Sequence, residues 1–406
     1  MAALSKYRPQ LITRTLIAIT LIIVLSLVPS TSYGSPVTQR GFLVPLEAIT
    51  EESLNDLRSN WGINIIRVPI GNNTVMDGVS GAAYDSMLED RFTLLDQKLP
   101  LISAAGLQII FCLVSPPGGY LTRQAPSHYR MYSEPALQDD YINKWRQIVA
   151  RYGSNPAIFA FDLENEPAVR TSLLASGARN WNALVIDTIK AIRESHPTIK
   201  LVVKSMYGDP SRLANLPAIN DPNIIYSYNS YFYNGYQHTG IQSAPFSIAR
   251  PSDAAILASM RRRVAPFFFK TYLRAERGEI PANSYPPQIM VGEVAVSACA
   301  IEAGQYLQGV INALETDRSA ISEKRRQRIL NRWKRNRRRF KLLPKPRFTA
   351  IDFVDDIKHM NYTFHAFGEY QFWDPRYSCD SSGNLSLASS DTDRATTIKS
   401  ALDKNG

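Results

Sequence analysis

Cysteine and histidine are scarce, with three of the first and five of the second in 406 residues. Metal centres need such side chains at close ligand spacing. His238 and His365 stand far apart with no second His or Cys at that spacing, so both are expected to act as hydrogen-bonding residues near a cleft rim, with no metal and no cofactor. Three cysteines leave at least one unpaired. Cys112 sits inside the apolar run from Leu107 to Val114 and reads as a buried thiol, which leaves Cys299 with Cys379 as the one pairing to weigh. A comfortable membrane span is also missing: the run from Leu16 to Val28 is short for one. Lys6, Arg8 and Arg14 before it, and the small residues from Pro29 to Ser35 after it, give the layout of a secretory leader. Residues 1–34 are therefore expected to be such a leader. Cleaved, it gives a secreted or periplasmic protein; retained, it is an anchor.

Charge is modest and unevenly placed. Charged residues make up 20% of the chain and apolar residues 45%, as in ordinary globular proteins with a sizeable core. Between Asp317 and Phe348 fourteen Lys and Arg face two acids, a local +12 that leaves the other residues at −2 of the total of +10. The body of the protein is thus near neutral, and no nucleic-acid partner is expected. The basic insertion at 317–348 has Ile321, Ile329, Leu330, Trp333 and Phe340 interleaved among its cations. It reads either as a solvated amphipathic helical extension, or as a docking surface from Lys324 to Arg347 for an anionic membrane or acidic polymer.

No internal repeat, linker or second module is visible, so residues 35–406 are expected to form one domain, acting as a monomer. Apolar runs with strand character start at Gly41, Gly62, Leu107, Ala157, Ile199, Asn223, Gln288 and Tyr362. Helical spacing covers Glu51 to Trp61, Asp85 to Ala105, Leu137 to Tyr152, Trp181 to Glu194 and Asp253 to Arg277. Eight strands separated mostly by helices predict an α/β fold, a single (β/α)8 TIM barrel, whose active site gathers at the carboxyl ends of the strands.

The readable chemistry sits at those ends. Arg67 follows the second strand, Asn165 and Glu166 the fourth, Asn229 and Tyr231 the sixth and Glu293 the seventh, with Trp373 in the loop after the eighth. The fourth strand is expected to stop near Glu166, because Pro167 cannot donate a ladder hydrogen bond. Glu164, two residues earlier and so on the same side of a strand, is expected to support rather than react. Two glutamates at the tips of different strands suit retaining glycoside hydrolysis. One serves as acid and then base, the other as nucleophile, with their carboxyls about 5–5.5 Å apart.

These residues also carry a resemblance. Ile66-Arg67-Val68-Pro69, Pro117-Gly118-Gly119, Asn165-Glu166-Pro167, Tyr226 to Tyr231 with His238 and Gly240, Val291-Gly292-Glu293 and Thr363 to Phe367 follow one another across roughly residues 40–380. In that order they resemble the cellulase-type glycoside hydrolases of family five. The resemblance implies that Glu166 is the acid/base and Glu293 the nucleophile, that Arg67 and Tyr231 keep Glu293 ionised, and that Asn165 bonds the sugar 2-hydroxyl. It implies a polysaccharide substrate, cleaved internally, with a β-1,4-glucan favoured. The aromatics Tyr120, Tyr231, Tyr233, Tyr236, Tyr370 and Trp373 are expected near an open cleft. Two positions depart from the family pattern, which has histidines where this chain has Val114 and Asn229. An amide can still donate and accept hydrogen bonds, whereas valine can do neither. Those losses leave a second reading open, a catalytically weakened barrel that binds polysaccharide or glycolipid.

Overall fold

The computed structural model describes residues 38–71, 79–120, 128–241, 248–276, 278–280, 287–315, 360–368 and 370–403. The leader and the basic insertion called from the sequence lie outside them. Residues from Gln39 onward form one compact unit, in which eight parallel strands close in sequence order into a barrel. They are β1 (Arg40–Leu43), β2 (Ile65–Ile70), β3 (Gln108–Leu113), β4 (Ile158–Asp162), β5 (Leu201–Lys204), β6 (Ile224–Asn229), β7 (Gln288–Val294) and β8 (Asn361–Phe364).

Helices Glu51–Ser59, Ala82–Ala104, Pro135–Tyr152, Trp181–Arg193, Asp253–Glu276, Ala303–Glu315 and Asp393–Asp403 accompany the strands. Local signals set their starts. Thr50 accepts from the Ser53 amide and Ser53 returns the bond to the Thr50 amide, closing a capping box. Pro135 opens its helix at a position where a missing N–H is harmless. Between β5 and β6 the connection is two short 3₁₀ segments, Met206–Gly208 and Pro210–Asn215, in place of a full helix.

The period-two alternation of the strands builds the barrel interior in layers. Ile65, Ile110, Ala160, Val202, Ile225 and Met290 form one buried apolar layer. Two residues further along the same strands stand Arg67, Cys112, Asp162, Lys204, Ser227 and Gly292, and the five of these with side chains are all buried. A polar layer thus rests directly on an apolar one, at the carboxyl-terminal end where the sequence places the chemistry. The register of β7 slips beside it. Tyr228 pairs with Val291, whereas Asn229 pairs with Glu293, so β7 carries one extra residue. Without that bulge Glu293, directly after the inward Gly292, would face the helix layer; with it, the carboxyl reaches the interior.

The structure moves two expected strand ends. β4 stops at Asp162, four residues before Glu166, and β8 stops at Phe364 instead of running to Phe367. Both chains leave the ladder early, because the residues that follow turn across the barrel mouth. Beyond β8 lie elements the sequence did not announce: a hairpin of β9 (Tyr377–Cys379) and β10 (Leu385–Leu387), then the helix Asp393–Asp403. Cys379 of that hairpin is bonded to Cys299 after β7, the one pairing weighed above, and Cys112 is a buried free thiol.

Candidate active site

Arg67 is the fixed point of the barrel mouth. Its fully buried guanidinium donates to Asp162 Oδ2 from Nε at 3.0 Å and Nη2 at 2.8 Å, to Glu293 Oε1 from Nη1 at 3.1 Å, and to Asn165 Oδ1 from Nη2 at 2.9 Å. Nη2 also meets the Cys112 Sγ at 2.8 Å. A planar, permanently charged fork can hold several oxygens in one plane in a way an ammonium cannot. Asp162 was not singled out in the sequence. Its signal was the period-two step from Ala160, which aims it at Arg67.

Glu293 is held from two sides. Tyr231 donates its hydroxyl to Oε2 at 3.1 Å while Arg67 donates to Oε1. Burial pushes the Glu293 carboxyl up, but the positive charge of His365, Lys204 and Arg67 and the Tyr231 hydrogen bond outweigh it and hold the group down, at about 2. Burial lowers the pKa of His365 itself, so near neutral pH the lasting cations beside Glu293 are Arg67 and Lys204. Tyr231 is kept protonated, as a donor, by burial and by the charge of Glu293.

Glu166 has the opposite character. Its backbone takes φ 52°, a left-handed conformation uncommon for a side chain of this size, and so turns the carboxyl away from the line of β4 toward the mouth. Asn229 donates Nδ2 to Glu166 Oε1, and the backbone of Gly208 lies against the same oxygen. Burial and the charge of Glu293 lift the Glu166 carboxyl to about 7, against Lys204 and the Asn229 hydrogen bond, which pull it down. Two carboxyls whose surroundings drive them apart can divide the work of a proton donor and an ionised nucleophile.

The supporting residues fall around this pair. Asn165 Oδ1 accepts from both Arg67 and Lys204, at 2.9 and 3.1 Å, which leaves Nδ2 to face the other way. Trp373 lies among Tyr231, His238 and His365, with ring centroids at 6.1, 5.0 and 6.0 Å. His238 donates Nδ1–H to the Asn234 carbonyl, 2.9 Å away. Tyr370 is half exposed, stacked on His365, and Tyr120 stacks on Tyr129.

One expectation changes. Tyr236 is not a cleft residue: it is buried, packs on Tyr306 and donates to the Ile301 carbonyl, because the short helix that carries it turns that side inward. Glu164 is fully buried, and its oxygens have no well-formed hydrogen bond. Glu164 lies deeper than the half-buried Glu166, although Tyr120, Tyr129 and Lys204 neighbour both. Burial and the charge of Asp162 raise the Glu164 carboxyl well above the usual carboxylate range.

An eight-stranded parallel barrel that presents such a pair of carboxyls at its mouth falls in the class of barrel glycosidases. Comparison with known proteins agrees. Residues 30–266 match the model of the family described as Cellulase (glycosyl hydrolase family 5). The chain belongs to glycosyl hydrolase family 5. That match contains Glu166 and ends before Glu293. Endoglucanase C of Acetivibrio thermocellus is 26% identical over 184 residues, covering 45% of this chain and 50% of that protein. Mannan endo-1,4-beta-mannosidase F of Aspergillus clavatus is 27% identical over 158 residues, covering 36% of each. The chain therefore spans about half or less of the length of these relatives. A solved structure described as an endoglucanase superposes with a TM-score of 0.54 at 18% identity, over 89% of this chain and 97% of its own, a likeness of fold.

Proposed function

We propose that the protein is a retaining glycosidase that cleaves internal β-1,4 bonds of a glucan, with Glu166 as acid/base and Glu293 as nucleophile. The observation that carries this reading is the division between the two carboxyls. Glu293 is gripped by Arg67 and Tyr231 and stays ionised, whereas Glu166 is half-buried beside that charge and keeps its proton toward neutral pH.

In the first step the Glu293 carboxylate attacks the anomeric carbon, the glycosidic bond breaks, and the Glu166 proton passes to the departing sugar oxygen. In the second, Glu166, now a carboxylate, takes a proton from water. The hydroxide oxygen bonds to the anomeric carbon and Glu293 leaves as a carboxylate. Two inversions restore the starting configuration. Asn165, with its oxygen tied to two cations, turns its amide nitrogen to a sugar hydroxyl. Tyr231 and Trp373 offer ring faces beside the nucleophile, where a sugar ring can stack. Export by the N-terminal leader and monomeric action are part of this proposal, since a polymeric glucan is met outside the cell.

A panel of soluble polysaccharides, read by new reducing ends and by loss of viscosity, tests the substrate. β-1,4-Glucan is expected to lead, with a rapid fall in viscosity that marks internal cleavage. Hydrolysis of mannan alone would move the proposal to the other substrate class found among the relatives, and no hydrolysis of any β-glycan would favour the binding-barrel reading motivated by Val114 and Asn229. The pH profile gives a second check. kcat/KM needs Glu293 ionised and Glu166 protonated, so it should be bell-shaped, with its alkaline limb near 7 and its optimum on the acid side.

A further inference from the structure

Lys204 takes no direct part in the two steps above, yet it lies beneath both reacting groups. It ends β5, is fully buried, and donates Nζ to Asn229 Oδ1 at 3.0 Å and to Asn165 Oδ1 at 3.1 Å, with Asp162 Oδ2 at 3.8 Å. Space is kept for it. A Cβ on Gly292 would stand 2.6 Å from Nζ, so a larger residue there would push the ammonium from its place. Because an ammonium only donates, it fixes how each amide is turned. Asn229 must face Lys204 with its oxygen and therefore presents Nδ2 to Glu166, one amide away.

The charges point the same way. Facing Lys204 are Arg67 from β2, Cys112 from β3, Asp162 from β4, Glu164 and Glu166 in the loop after it, Glu293 from β7 and His365 after β8. With Glu164 and Glu166 protonated, Cys112 a thiol and His365 neutral, two anions remain, Asp162 and Glu293, against two cations, Arg67 and Lys204. In that state the layer is neutral with Lys204 in place and carries one net negative charge without it. An unbalanced buried charge would otherwise be resolved by protonating a carboxyl.

We propose that Lys204 is a positioning residue that holds Glu293 ionised and Glu166 ready to give up its proton, by its charge and by orienting the Asn229 and Asn165 amides. In this chain the Lys204–Asn229 pair takes the place beside the acid/base that the family pattern gives to a histidine. The inference rests on the roles assigned to Glu166 and Glu293 above.

Lys204→Met and Lys204→Gln test it through the pH profile of kcat/KM on a soluble β-glucan, with circular dichroism and thermal melting to confirm the fold. Met removes charge and donor; Gln keeps a donor without charge. A cation at this range moves a carboxyl by about 1–3 pH units. Both limbs are therefore expected to shift to higher pH in both variants, by about 1 unit or more, and kcat to fall more than KM rises. Limbs that stay in place while only the height drops would overturn the inference and leave Lys204 a packing residue. Should neither variant fold, Nζ-detected NMR of the wild-type protein labelled with 15N-lysine decides. An ammonium signal that shifts as the alkaline limb is crossed supports the proposal, and one that ignores that titration overturns it. A wild-type protein with no hydrolytic activity would sink the glycosidase reading instead, so the two failures are distinct.

Discussion

Glu293→Gln is expected to lower kcat/KM on a β-glucan by about 10⁵-fold or more, and Glu166→Gln by about 10³-fold, with little change in melting temperature. The amide keeps the shape of each carboxyl. At position 293 it removes the group placed to attack, while Arg67 still pairs with Asp162. At position 166 it removes proton transfer in both steps but leaves the nucleophile intact. Steady-state kinetics on polymer and on an aryl glycoside separates the two. With a good leaving group the Glu166→Gln variant should still form the covalent species and then stall, because water lacks its base. Azide, an anion that needs no base, should restart it and give a glycosyl azide of retained configuration. In Glu293→Gln the same anion can only attack the substrate directly and must invert. Turnover close to wild type in either variant would remove that residue from its role.

Gly208→Ala should lower turnover strongly although it adds nothing but a methyl group. Gly208 takes φ +61°, and a Cβ there would stand 2.7 Å from Glu166 Oε1 and 2.8 Å from Asn229 Nδ2. Left-handed backbone alone destabilises a non-glycine residue by about 1–2 kcal/mol. The larger effect is on geometry, since a displacement of about 1 Å in a reacting group lowers turnover by about 10²-fold. The expected result is a loss of about 10²-fold in kcat with a small drop in melting temperature. Gly177→Ala is the control: Gly177 takes φ +80° with no atom within 4 Å of the added carbon, so it carries the strain without the crowding. Equal losses in the two variants would mean that strain, and not the contact with Glu166, explains the effect.

The barrel was legible because each strand core is a continuous apolar run, and a sheet buried on both faces demands such runs. Glu166, Glu293, Asn165, Asn229 and Tyr231 were legible because they stand at or near the ends of those runs, whereas Arg67, expected after the second strand, lies inside β2, and Trp373 lies in the loop after β8. What the sequence hid depends on how the chain leaves the ladder. The stop of β4 at Asp162 and the left-handed turn at Glu166 separate Glu164 from Glu166, although period-two counting puts them on one side. The bulge in β7 falls at Gly292, a glycine inside a strand that was its available signal, and it decides whether Glu293 faces inward. Lys204 was passed over because a lysine after an apolar run reads as the solvated end of a strand. Its place two residues beyond Val202 matched that of Arg67 beyond Ile65 and Asp162 beyond Ala160, and was the available signal. Tyr236 failed in the other direction, since an aromatic near a strand tip can as readily pack inward. The hairpin β9–β10 escaped notice because its two strands are three residues each, too short to show alternation.

The division of labour between the two glutamates is best tested by trapping. Incubated with a 2-deoxy-2-fluoro β-glucoside or β-cellobioside that carries a good leaving group, the wild-type protein should inactivate with time and gain the mass of one fluoro-sugar. After digestion, peptide mass spectrometry should place that sugar on the peptide containing Glu293, linked through its carboxyl. A sugar found on Glu166, or an intact enzyme that turns over ordinary β-glycosides and never accumulates an adduct, would contradict the assignment of Glu293 as the nucleophile of a retaining hydrolase.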